Sequence, residues 1–100
     1  MKFLVDLFSK LTGKSTHTQI RNLISKCRSL GLPEKDCLDA ESYLKYNELG
    51  LAFETILEQM YQYSILIDLE LYHQIEAIAG KMSMTSKEYE FMSKLIRPIS

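Results

Sequence analysis

Proline and glycine are scarce in this sequence, two and four among 100 residues, and a chain of many short strands needs more turns than these supply. An all-β design is therefore disfavoured. Cysteine is equally sparse. Cys27 and Cys37, ten positions apart, do not make the dense framework of a small secreted domain. Histidine is limited to His17 and His73, and neither has ligands at the spacing that a structural zinc with four convergent donors requires. The glycines are too scattered to cradle a phosphate, so neither a metal nor a cofactor is expected. No apolar run approaches the length of a membrane span. The opening MKFLVDLFSKLTGK carries Asp6 and no apolar run of signal length. A soluble, cytoplasmic protein with no membrane contact is expected.

What is present is ordinary globular material. Apolar residues at 46% and charged residues at 25% are enough to bury a core and too balanced for disorder. One hundred residues make a single domain, 1–100. The net charge of −1 hides an uneven spread. Residues 1–30 hold six basic residues and one acid, residues 31–80 two lysines and ten acids, and residues 81–100 four basic residues and two acids. An acidic middle lies between basic ends.

The apolar spacing is helical throughout. Residues 3–11 (FLVDLFSKL) read as a short helix ended near Gly13. Thr16 and Gln19 have the spacing of a capping box, followed by the stripe Ile20, Leu23, Ile24, Cys27 and Leu30, which Gly31 stops. That stripe makes Cys27 a buried, inert thiol. Pro33 suits the first turn of the next helix, which runs to about Tyr46 with Cys37, Leu38, Ala40 and Leu44 inward. Asn47 and Gly50 interrupt or bend the path. Leu49, Ala52, Phe53, Ile56, Leu57 and Met60 then form another inward stripe, and Ser64–Ile67 is an extended apolar link. Asp68 is an N-cap, with Ile67 placed to staple onto Tyr72, and Leu71, Tyr72, Ile75, Ile78, Ala79 and Met82 follow at helical spacing. Thr85 and Glu88 form a second capping-box pattern, opening a last helix with Tyr89, Met92, Leu95 and Ile96 that Pro98 closes. The expected fold is all-α, a compact bundle of five to six short helices.

Paired carboxylates such as Glu54 and Glu58 sit on a helix side that faces solvent, where acids are ordinarily surface groups, so the chain is not expected to be an enzyme. The same side presents Leu51, Glu54, Thr55, Glu58 and Gln62, bordered by Tyr61 or Tyr63. Acids that steer an encounter, beside aromatic anchors, suit a docking surface for a basic partner. The alternative is a nucleic-acid binder that uses Lys10, Lys14, Arg21, Lys26 and Arg28 of the basic N-terminal third, against which the acidic middle would repel phosphate. A helical adaptor is a third reading.

The stretch from Tyr43 to Met84 contains Asn47-Glu48-Leu49-Gly50-Leu51-Ala52, then Glu58-Gln59-Met60-Tyr61, Ile65-Leu66-Ile67 and Tyr72. In these motifs it resembles the all-helical immunity proteins of bacterial polymorphic toxin and contact-dependent growth inhibition systems, of the MafI type and CdiI-like. It departs from them at Phe53-Glu54 and across the N-terminal third. The resemblance implies a protein that binds and neutralises a cognate toxin C-terminal domain one-to-one, as a monomer and without touching nucleic acid itself. Toxins linked to this type are often basic ribonucleases, EndoU or ribonuclease A-like. Glu48, Glu54, Glu58, Tyr61, Tyr63, Asp68 and Glu70 are the toxin-binding residues it suggests.

Overall fold

The computed structural model describes residues 15–98; the helix expected over 3–11 lies outside them. The described chain is all-α. It has four α-helices, α1 (Thr16–Ser29), α2 (Glu34–Lys45), α3 (Leu49–Gln62) and α4 (Leu69–Lys81), followed by two 3-10 helices, Ser86–Glu88 and Glu90–Leu95. They surround one apolar core.

α1 starts one residue earlier than the expected capping box. Ser15 is extended, and its hydroxyl accepts the Thr18 amide at 3.1 Å. With Ser15 as the cap, Gln19 falls one position too far along to reach back. Its Oε1 is buried and has no hydrogen-bond partner. The stripe Ile20, Leu23, Ile24 and Cys27 is buried as expected.

All four α-helices end in the same way. The amides of Leu32, Glu48, Ile65 and Met84 donate to the carbonyls of Cys27, Tyr43, Met60 and Ala79, five residues back, at 2.8–3.0 Å. The preceding residues Gly31, Asn47, Ser64 and Ser83 donate three residues back and have φ of 113°, 60°, 51° and 57°. This is the Schellman arrangement, which satisfies the orphan carbonyls of the last turn. Asn47 therefore breaks the chain between α2 and α3. Gly50 does not bend it, being an ordinary residue of the first turn of α3.

α3 lies at the centre, packed against α1, α2 and the second 3-10 helix, while α4 leans on α1. Ala52, Phe53, Ile56, Leu57 and Met60 are buried along its inner side. On α2, Cys37, Ala40 and Leu44 are buried but Leu38 is 54% exposed, because the α1 and α3 contacts take up the other side of the helix. α1 and α2 are also tied by Arg28, which donates to Glu34 at 2.8 Å and to Glu41 at 3.1 Å. The hydrogen bonds it donates to Glu34 and then to Glu41 push the already high pKa of Arg28 higher.

The last segment is not the expected α-helix. Thr85 and Glu88 do form the capping box, with the Glu88 carboxylate accepting the Thr85 amide at 2.9 Å. The chain then winds at three residues per turn, which aligns Tyr89, Met92 and Leu95 on one line. Met92 and Leu95 are buried there and Tyr89 is half-buried. Ile96 leaves the helix in an extended conformation and pairs with Ile67 in an isolated parallel bridge. The Ile67 amide donates to Leu95 O and the Arg97 amide to Ile67 O, each at 2.9 Å. The Ser64–Ile67 link is thus fastened to the C-terminal segment, a pairing between residues far apart in sequence.

Both thiols are free and buried. Burial first, and then neighbouring Cys37, pushes Cys27 up from 9.0 to about 12; burial also raises Cys37. The neutral thiol is favoured by the fold, so Cys27 loses stabilising effect as pH rises from about 9 toward 12. At neutral pH a disulfide-exchange reagent should label both thiols only after denaturant is added; rapid labelling of the native protein would contradict their burial. A second test concerns the helix ends. Ser64→Gly removes the left-handed strain of a side chain and should raise stability by about 0.5–1 kcal/mol in urea unfolding, whereas Gly31→Ala should lower it.

Candidate protein-docking surface

The burial of Phe53, Ile56, Leu57 and Met60 on one side of α3 leaves the opposite side to solvent. There Leu51, Glu54, Glu58 and Gln62 are exposed and Thr55 is half-buried. Glu54 and Glu58 are one helical turn apart, so their carboxylates share a strip of surface. Among the described residues neither forms an ion pair. Other acids of the central region are engaged internally: Glu34 and Glu41 by Arg28, and Glu76 by His73 at 2.8 Å.

Tyr61 follows on the edge of this strip, 43% exposed, with its ring at 89° to that of Phe91 and the centroids 5.3 Å apart. Phe91 arrives on the second 3-10 helix, and Glu88 on the first. Together with Glu54, Leu57 and Glu58 they line a groove of about 200 Å³ between α3 and the C-terminal segment. Drug-sized ligands occupy pockets from about 300 Å³ upward, so the groove fits a side chain better than a small molecule. Its rim is acidic and its lining includes an aliphatic and an aromatic surface.

The seven residues suggested by the sequence therefore separate. Glu54, Glu58 and Tyr61 come together. Glu48 precedes the first residue of α3, about 20 Å along the axis from Tyr61 at 1.5 Å per residue, near the end of α2 that carries the 72% exposed Tyr46. Tyr63 caps α3 and is exposed, but 200° of helical rotation separates it from Tyr61. It belongs instead to the α3–α4 link, with exposed Leu66 and Leu69. Glu70 is exposed in the first turn of α4, and Asp68 caps that helix by accepting the Leu71 amide at 2.7 Å. Asp68 thus has a structural role irrespective of any partner. Glu88 and Phe91 were not singled out for the surface from sequence. Glu88 had a sufficient role as a helix cap, and Phe91 lay off the apolar stripe.

Two other features are built differently. Tyr72 and Tyr89 approach to 6.1 Å between centroids. Both hydroxyl pKa values are raised, first by burial and then by Glu76. A groove of about 230 Å³ between α1 and α4 is lined by the amides Gln19, Asn22 and Gln74 and by Leu23, Ala77 and Ile78, and offers hydrogen bonding without charge.

No protein-family model, curated protein or solved structure matches the chain. Its functional reading accordingly rests on its own residues and on the motifs between Tyr43 and Met84.

The capping role of Asp68 is open to direct test. Asp68→Ala should cost about 1 kcal/mol of stability, seen as a lower urea midpoint, whereas Glu54→Gln should leave the midpoint nearly unchanged. Equal midpoints for Asp68→Ala and wild type would remove the cap from the account.

Proposed function

We propose that this chain is an immunity protein, binding and neutralising a cognate antibacterial toxin domain whose active site is basic. The observation that carries the reading is the pair Glu54 and Glu58, exposed, without an ion pair among the described residues and bordered by Tyr61 and Phe91. A ribonuclease is the best-suited target, because a cleft that holds RNA phosphates is lined with cations, and carboxylates on a rigid helix can occupy the same positions. Inhibition is then steric and electrostatic, with no chemistry performed by this chain. The resemblance of Tyr43–Met84 to helical immunity proteins supports the same reading. Long-range attraction between an acidic surface and a basic cleft also speeds association, an advantage for an inhibitor that must act before its target does.

The nucleic-acid alternative is weakened by the fate of its basic residues. Arg28 is committed to Glu34 and Glu41, and Arg21 is within 3.3 Å of His17 Nδ1. Lys10 and Lys14 lie outside the described residues.

The deciding experiment expresses the C-terminal domain of the large protein encoded next to this chain, alone and together with it, and follows growth and RNA integrity. Loss of both alone and recovery of both together is the expected result; toxicity without rescue overturns the proposal. With the purified pair, Glu54→Lys combined with Glu58→Lys should slow association about tenfold or more at low salt. The same double variant should bind generic RNA more tightly than wild type if the nucleic-acid reading holds instead. Rescue without prior RNA damage would retain the immunity role and replace the ribonuclease by another target.

A further inference from the structure

We draw no further inference here: the strongest candidate, the exposed apolar patch of Tyr63, Leu66 and Leu69 at the α3–α4 link, carries no proposal because nothing in the structure shows what covers it.

Discussion

The architecture depends on a single device for ending helices. At each α-helix C-terminus one residue turns left-handed and the next amide reaches back five residues, so the chain reverses within a few positions. Where that next residue is Leu32, Ile65 or Met84, the turn also returns an apolar side chain to the core. Only the first of these ends uses glycine; Asn47, Ser64 and Ser83 accept a strained backbone, at a cost of about 1–2 kcal/mol for an ordinary residue. Such strain persists because burial of the attached helices outweighs it. Tight reversals keep successive helices in register and leave α3 enclosed by α1, α2 and the C-terminal segment.

That enclosure gives α3 two distinct sides. The inner one is among the most completely buried in the molecule, with Ala52, Phe53, Ile56 and Met60 fully inaccessible. Because the inner stripe is locked, the orientation of the outer residues is fixed to within a rotamer. Glu54 and Glu58 are therefore presented from a rigid element, and a preorganised charged surface loses less entropy on binding than one carried on a loop. The 3-10 helices add the second wall of the groove. Their position is set by burial of Met92 and Leu95 and by the backbone pairing of Ile67 with Ile96.

Charge is distributed with the same economy. Of the acids concentrated in residues 31–80, Glu34 and Glu41 stitch α2 to α1 through Arg28, Asp68 caps α4, and Glu76 engages His73. These carboxylates are satisfied within the fold. Glu54 and Glu58 stand exposed on the outer side of α3, with no ion pair among the described residues.

The sequence by itself determined the helical class and the inner stripes of α1, α3 and α4, since period-3.6 spacing and burial are local consequences of the same apolar residues. It also identified the caps at Asp68 and Thr85, whose partners lie three residues away. Glu54 and Glu58 were legible as an outward pair for that reason. The tertiary structure alone decided the rest. It turned Leu38 outward and wound the C-terminal segment as 3-10 helices so that Ile96 could meet Ile67. It also brought Glu88 and Phe91 beside Glu54, about 35 residues away in sequence. Spacing along a chain specifies which side of a helix a residue occupies; only packing between helices specifies what stands opposite it.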